Sequence, residues 1–527
     1  MTATVQTLLL LLAVLVVVAI LARRLNIAPS ILLVIAGILL ALIPGLPAIE
    51  LAPELVLLVI LPPLIYAAGV GMSWREFCFN LRPIALLAFG CVVFTTCVVA
   101  AAVHWVLGFE WAIGFLIGAI VAPPDVVAPL AVARKLGIPR RLLLVLEGEG
   151  LANDATALIL YRFAVVAIST GVFSFGAAAG TFAVIVVGEI AWGIFAGWAA
   201  LHLRRWARDP RVEITLSLMT PYLAYWVPEH LGGSGVLATV AAGLYVSWKG
   251  PLLITSATRL QGIFFWDLII YLIEGFVFLV TGLQARTVLG RMEEFSVREI
   301  VTAVLLTTVI VIVARFIWVF PAVYLPRWLS PSLARRDPSP PWQQAFVLAF
   351  IGVRGVVSLA AALAIPLTLA NGQPFPYRDL ILIVTFGVIV ITLVGQGLLL
   401  PTVINWLGLA RDVEIERQQE QDAELAARRT ALDVGLRRLD ELQSGEKISG
   451  EVADLLRTRY GHRRRQVGDD LSTIVAKLEL DLIRAEREHL YMLLQEGSIT
   501  AEARRRLERE LDLDEAAILS RRGDNGP

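Results

Sequence analysis

Between Glu147 and Asp154 the chain reads Glu-Gly-Glu-Gly-Leu-Ala-Asn-Asp, three carboxylates and an amide opening an apolar run that ends near Ala167. Asp154 is followed by Ala155, Leu158, Ile159 and Leu160, which sets it at hydrocarbon depth rather than at the rim of a membrane helix. A charge there costs between ~2.5 and ~17 kcal/mol depending on how the cost is measured, and such residues face a cavity or an ion path. Helical spacing puts Glu149 and Asn153 on one face, four residues apart, with Asp154 beside it. A hard monovalent cation takes oxygen ligands; Asp154 offers a carboxylate and Asn153 an amide oxygen. A carboxylate partly withdrawn from water holds either a proton or a metal ion, not both. Competition for one such site, with access from two sides, is sufficient for exchange and needs no covalent step.

Two further stretches break the apolar pattern. Ala122-Pro-Pro-Asp-Val-Val-Ala-Pro129 sets three prolines and an acid inside an apolar run. Each proline removes a backbone donor and disfavours helix at the residue before it. Unwound backbone at membrane depth is tolerated where it lines a cavity, so the carbonyls around Pro124, Asp125 and Val126 are candidate ligands, with Asp125 as a helper. The plainer reading is a proline kink with Asp125 hydrogen-bonded to a neighbouring helix. The second stretch is Ile351-Gly-Val-Arg-Gly-Val-Val-Ser358, a lone arginine between two glycines in an apolar helix. Interrupted segments at corresponding positions of two halves point to a midplane site built from inverted repeats. Arg354 stays charged and calls for a carboxylate, either Glu149 or Glu274. Glu274 reads as the partner of Arg354 before it reads as an ion ligand, and Glu147 reads as an entrance charge. His104, Arg162, Glu189, Asp267 and Arg315 are the other polar residues in or near the apolar runs, and none is expected to touch the ion.

These residues need a membrane bundle to hold them. The 527 residues are 57% hydrophobic and 17% charged, with a mean hydropathy of +0.74, which places the chain in the polytopic membrane class. Charge is concentrated in the tail: residues 411–527 hold 21 Lys/Arg and 26 Asp/Glu, against 43 charged residues in the first 410. A transmembrane domain over 1–410 and a charged helical cytoplasmic domain over 411–527 are therefore expected. Apolar runs long enough to span lie at roughly 5–22, 28–44, 51–69, 84–106, 111–132, 142–169, 178–203, 213–228, 234–248, 262–283, 298–325, 342–369 and 379–400. Links after odd-numbered runs, including Arg23, Arg24, Arg208, Arg335 and Arg336, carry 17 Lys/Arg; those after even-numbered runs carry 4. The positive-inside rule then sets the amino terminus outside and the tail in the cytoplasm. Val5–Leu21 has no basic segment before it and is followed by Arg23-Arg24, which reads as a retained first helix rather than a cleaved signal.

Cys78, Cys91 and Cys97 lie in or beside apolar runs and read as small hydrophobes, without a disulfide or a metal pair. Trp105, Trp111, Trp226 and Trp248 fall near run ends, as an aromatic belt against lipid would require. In the tail, helical patterns over 413–442, 448–460, 471–494 and 500–519 are punctuated by Gly445, Gly461, Gly497 and Gly523. Arg463–Arg465 and Arg504–Arg506 are solvated faces, or contacts to anionic headgroups. No glycine-rich phosphate loop, nucleophile–base pair or metal-ligand cluster appears, so the chain is read as no enzyme, without cofactor or nucleic-acid partner.

Together, Ala-Pro-Pro-Asp125, Glu149-Gly-Leu-Ala-Asn-Asp154, Gly-Val-Arg-Gly355, Phe276-Val-Phe-Leu with Gly-Leu-Gln284, and Ser234-Gly-Val-Leu-Ala-Thr-Val-Ala-Ala-Gly-Leu-Tyr245 resemble the monovalent cation–proton antiporters, in their bacterial sodium/proton exchanger branch. The resemblance covers about residues 5 to 405. It implies an all-α polytopic fold of about thirteen transmembrane helices, homodimers, a dimerisation domain and a mobile core with two crossed, interrupted helices. It places the cation and proton site on Asn153 and Asp154, associates the Asn-Asp form with electroneutral exchange, and ties Glu149 to Asn153 and Arg354. Two positions depart from the family: Gly150 stands where serine is usual and Ala122 where serine or threonine is usual. Their lost hydroxyls would favour a larger ion such as K+, a water-completed Na+ shell or weaker affinity. Glu274 replaces a residue that is often neutral.

The expected activity is inner-membrane exchange of Na+ (or K+ or Li+) for H+ at Asp154. Glu149 and Arg354 hold the geometry. A transporter of another substrate, such as an organic anion on Arg354, would need a more cationic and aromatic pocket. A non-transporting sensor signalling through its tail would fail on tail deletion and survive substitution of Asp154.

Overall fold

Hydrocarbon offers no water to backbone N–H and C=O groups, so each apolar run must close its hydrogen bonds within itself. The computed structural model describes residues 2–44, 51–171, 174–207, 209–292, 295–369, 372–445, 448–465, 471–495 and 501–521. Arg208, Gly497 and Gly523, with the side chains of Arg463, Arg465 and Arg504–Arg506, lie outside the described residues. Apart from turns and one isolated bridge between Thr368 and Pro374, the described backbone is helical.

The chain divides into two units, Met1–Val413 and Glu414–Pro527. The first opens with α1 (Thr2–Leu25), α2 (Pro29–Ala41), α3 (Leu55–Gly71), α4 (Leu81–Leu107), α5 (Trp111–Val121), α6 (Val127–Leu136), α7 (Arg140–Thr170) and α8 (Phe175–Ala207). It continues with α9 (Pro210–His230), α10 (Val236–Lys249), α11 (Ser256–Leu283), α12 (Val297–Leu329), α13 (Trp342–Phe350), α14 (Val356–Leu363) and α15 (Arg378–Trp406). Among the described residues seven helices are long and apolar enough to cross a membrane, α1, α4, α7, α8, α11, α12 and α15. This is an all-α, multi-pass membrane protein. Trp105, Trp111, Trp226 and Trp248 are all exposed, as residues facing headgroups are.

Every apolar run carries helix, and two carry it in halves. α5 stops at Val121 ahead of Pro123 and Pro124, whose missing donors end the ladder, and α6 starts at Val127. α13 stops at Phe350 and α14 starts at Val356, with Gly355 extended between them at φ −130° and ψ −161°. The half-helix α14 ends at Leu363, short of the expected 369. Ile365 precedes Pro366 and so leaves the helical region, and the chain returns through the Thr368–Pro374 bridge.

The helices that carry the polar residues are fixed locally and by burial. Asp209 accepts from the backbone N–H groups of Arg211 and Val212 at the start of α9. Ser296 and Glu299 form a capping box at the start of α12. On α7, Leu146, Leu151 and Ile159 are fully buried, and on α11 Val277, Phe278, Leu279 and Val280 are buried. α4 and α15 each widen to a π-helical turn, at Leu86–Cys91 and Ile391–Gln396.

The second unit is built from α16 (Ala410–Ser444), α17 (Gly450–Arg465), α18 (Leu471–Gln495) and α19 (Ala501–Arg521). Arg457 of α17 pairs with Asp440 of α16 at 2.6 Å. Arg487 of α18 pairs with Asp512 and Glu515 of α19, both at 2.7 Å. These pairs are exposed, so they set register more than they stabilise.

Candidate ion-binding site

The two breaks bond to each other. The backbone N–H of Asp125 donates to the Val353 carbonyl at 2.6 Å. In return Arg354 sends its guanidinium to the end of α5, with Nε on the Val121 carbonyl at 2.7 Å and Nη2 on the Ala122 carbonyl at 3.2 Å. Its Nη1 donates to the Gly352 carbonyl, and its backbone N–H donates to Thr392 Oγ1 in the widened turn of α15 at 3.0 Å. Gly355 lies against the Asp125 carboxyl group so closely that a Cβ there would overlap it. Asp125 Oδ1 in turn accepts from the Val127 N–H at 2.9 Å, starting α6.

The expectation that Arg354 pairs with Glu149 or Glu274 is overturned. Glu149 is held by Arg315 of α12, with Nη1 to Oε1 at 2.5 Å and Nη2 to Oε2 at 2.8 Å. Both side chains are buried, 1% and 0% exposed. Among the described residues no carboxylate pairs with Arg354, which is also buried; its counter-charge is the carbonyl end of α5, where unpaired C=O groups concentrate partial negative charge. Arg315 does the same for α13, donating from Nε and Nη2 to the Leu348 carbonyl at 3.3 and 3.1 Å. Each half-helix that points its carbonyl end into the bundle is therefore met by one buried guanidinium. Glu149 is not bonded to Asn153 either.

Asn153 ties α7 to the first break. Its Nδ2 donates to the Pro124 carbonyl at 2.6 Å, and its Oδ1 accepts from the Asp154 N–H at 2.7 Å. Proline 124 lies in a stretch with no helical ladder, and the asparagine satisfies the carbonyl left over. Asn153 is buried behind the surface that Asp154 presents.

Asp154 faces a cavity of about 850 Å³. Pro124, Asp125, Val126, Gly150 and Glu274 line the same space, whereas Ala122, Glu149, Asn153 and Arg354 lie outside its lining. Among the described residues no donor bonds to the carboxylates of Asp154 or Glu274. The cavity continues to an end marked by Arg134, Arg204 and Arg259, where Arg134 pairs with Glu147 at 2.6 Å. At Gly150 a Cβ would run into Cγ2 of Val126, so that valine methyl fills the space a side chain at 150 would take. The three carboxylates of Asp125, Asp154 and Glu274 around one cavity can hold a cation or protons, and two helix amino ends, of α6 and α14, open beside them.

A family profile described as "Sodium/hydrogen exchanger, transmembrane" matches residues 10–406. The chain belongs to that exchanger family. An uncharacterised Na(+)/H(+) exchanger of Mycobacterium tuberculosis is 33% identical over 527 residues, 97% of this chain and 95% of its own. A sodium, potassium, lithium and rubidium/H(+) antiporter of Bacillus pumilus is 31% identical over 480 residues, 88% of this chain and 70% of its own. The solved sodium proton antiporter of Methanocaldococcus jannaschii superposes with a TM-score of 0.58 at 19% identity, covering 78% of this chain and 98% of that one, and shares the fold.

Within this exchanger-family site the sequence passed over three residues. Arg315 was visible as a lone arginine in the apolar α12, but its partner lies 166 residues away and depends on helix packing. Thr392 gives no signal in an apolar run. Ser358, buried at the start of α14, adds a hydroxyl to the cavity lining. Of the other polar residues, Arg162 pairs with Glu229 at 2.5 Å, and Glu189 accepts from the N–H groups of Ser234, Gly235 and Leu237 where α10 begins.

Proposed function

We propose that this chain is a secondary antiporter exchanging a monovalent cation, Na+ or alternatively K+ or Li+, for H+ across the inner membrane. Asp154 carries the reading: a carboxylate at membrane depth, open to a cavity of about 850 Å³, with no donor bonded to it among the described residues. The activities for which the relatives are named point the same way, including the breadth over sodium, potassium, lithium and rubidium of the Bacillus pumilus protein. Asp154 exchanges its proton for the cation and Asp125 assists from the opposite break. Val126 and Pro124 shape the floor, Asn153 fixes the break against α7, and Glu149 with Arg315, and Arg354, hold the frame. One cation replacing one proton on Asp154 leaves the site charge unchanged, which makes the exchange electroneutral. The amino terminus lies outside; a transmembrane domain over 1–410 is followed by a cytoplasmic domain over 411–527, and the protein works as a homodimer in lipid.

The test is pH-gradient dequenching in everted membrane vesicles with Na+, Li+ and K+ added separately. Dequenching by at least one of them, absent in Asp154→Asn at equal protein level, is the expected result. Full exchange by Asp154→Asn would remove that residue from the role, and no response of the wild type to any of the cations at any pH tried would overturn the reading.

A further inference from the structure

The wall of the cavity opposite Asp154 is one face of α11. Arg259, Trp266, Tyr271 and Glu274 line it at helical spacing, with Asp267 beside them. Arg259 stands at the basic end, near the start of α11, and Glu274 is the last polar residue before the buried Val277 and Phe278. Asp267 and Glu274 are seven residues apart, about 10 Å along the helix axis. Glu274 is thus the deepest acid on this wall, facing the space that Asp125 and Asp154 line from the other side.

Its surroundings offer no fixed counter-ion. The two arginines at this depth are engaged elsewhere, Arg315 on Glu149 and Arg354 on the carbonyl end of α5. The charged and titratable groups that share the cavity are Asp125 and Arg134, Glu147 and Asp154, Arg204 and Glu213. On its own helix they are Arg259, Asp267 and Tyr271; of the other elements packed on α11, α3 adds Tyr66 and α9 adds Glu213 to the cavity, α1 carries only the exposed Arg23 and Arg24 in its last turn, and α2 and α14 carry none. Arg134 is taken by Glu147. A half-buried carboxylate without a fixed partner is sustained by water and by a mobile positive charge.

We propose that Glu274 is a determinant of cation affinity, a station that holds the incoming cation, or a proton, on the path between the basic end of the cavity and Asp154, where the exchange itself takes place. This rests on the antiport reading above. The carboxylate on α11 raises the local cation concentration opposite Asp154 and competes with it for protons, so it governs the cation concentration and the pH at which exchange is half-maximal. The maximal rate remains with Asp154. Glutamate therefore sets the working range of the site without being required for turnover.

The experiment is Na+-dependent (or K+- or Li+-dependent, whichever the wild type uses) dequenching for wild type, Glu274→Gln and Glu274→Asp, each over a range of cation concentration and pH. Removing one carboxylate–cation attraction in a partly hydrated cavity is expected to raise the apparent KM of Glu274→Gln roughly tenfold and to displace its pH profile, with maximal rate near wild type. Glu274→Asp is expected to recover most of both. An unchanged KM and pH profile in Glu274→Gln would overturn the proposal, as would a fall in maximal rate alone that Glu274→Asp shares. Wild-type exchange abolished by Asp154→Asn but indifferent to Glu274 would sink this inference and leave antiport standing; no wild-type exchange at all would remove the reading beneath it.

Discussion

Arg315 and Glu149 form a two-pronged ion pair, 2.5 and 2.8 Å, between α12 and α7, with both side chains buried. The geometry satisfies both carboxylate oxygens, and Arg315 also donates from Nε and Nη2 to the Leu348 carbonyl. The pair thus joins α7, which carries Asp154, to the carbonyl end of the second broken helix.

Breaking such a pair from one side leaves an unpaired buried charge, which costs ~3–5 kcal/mol. Glu149→Gln and Arg315→Met are each expected to lower the thermal stability of purified protein by about that much. The double substitution should cost less than the sum, because it leaves no orphan charge. Thermal unfolding in detergent of the wild type, both singles and the double checks this. Additive losses would mean that the two residues stabilise the fold independently.

At Gly150 the neighbour decides what is tolerated. Gly150→Ser is expected to lose exchange, since its Cβ would run into Val126 Cγ2 and overpacking of this kind costs ~1–3 kcal/mol. Val126→Ala combined with Gly150→Ser should restore transport and, by adding a hydroxyl to the cavity, change the ranking of Na+, Li+ and K+. Dequenching with the three ions reads both effects. A Gly150→Ser variant that transports as well as wild type would show that Val126 yields freely.

Outside the membrane-spanning segments, Asp337 gathers three arginines: Arg82 at 2.8 Å, Arg141 at 2.7 Å and Arg327 at 2.9 Å. Burial alone would raise its pKa, but the hydrogen bonds and charges of Arg141 and Arg327 outweigh it and hold the carboxyl below its ordinary range. A value depressed in the folded state gives stabilisation that is complete above the unfolded carboxylate pKa, ~3.9, and is lost as pH falls through the folded value. Wild-type stability is therefore expected to fall below ~pH 4 partly through this residue. Asp337→Asn should be less stable at neutral pH and show a shallower acid loss. Identical acid limbs of the melting temperature in the two proteins would exclude that contribution.

The breaks were legible because their signals are local. Pro123 and Pro124 forbid the ladder wherever they stand, and Gly352 and Gly355 flank a charge in a run that is otherwise apolar. Helix existence was legible from run length for the same reason. Where charges pair was not. Arg354 carried the strongest sequence signal and was assigned a carboxylate, yet its partners are backbone carbonyls, which no sequence pattern reports. The spacing that puts Asn153 next to Asp154 was readable, but not that its amide turns towards Pro124. The same limit applies to Gly150, whose empty position is filled by a methyl of Val126 from the break between α5 and α6.

Arg354 is shared among three elements: it sits after α13, caps α5 and hangs by its own N–H from Thr392 of α15. Asp125 returns the bond to Val353 and rests on Gly355. Parts laced together in this way behave as a cassette, loaded and carried whole because loosening any strand undoes the others. Changing the side from which Asp154 is reached then requires no rebuilding of its floor. In the exchange proposed above, α11 would be the wall that this seat faces across the cavity, outside the set of bonds that holds the seat together.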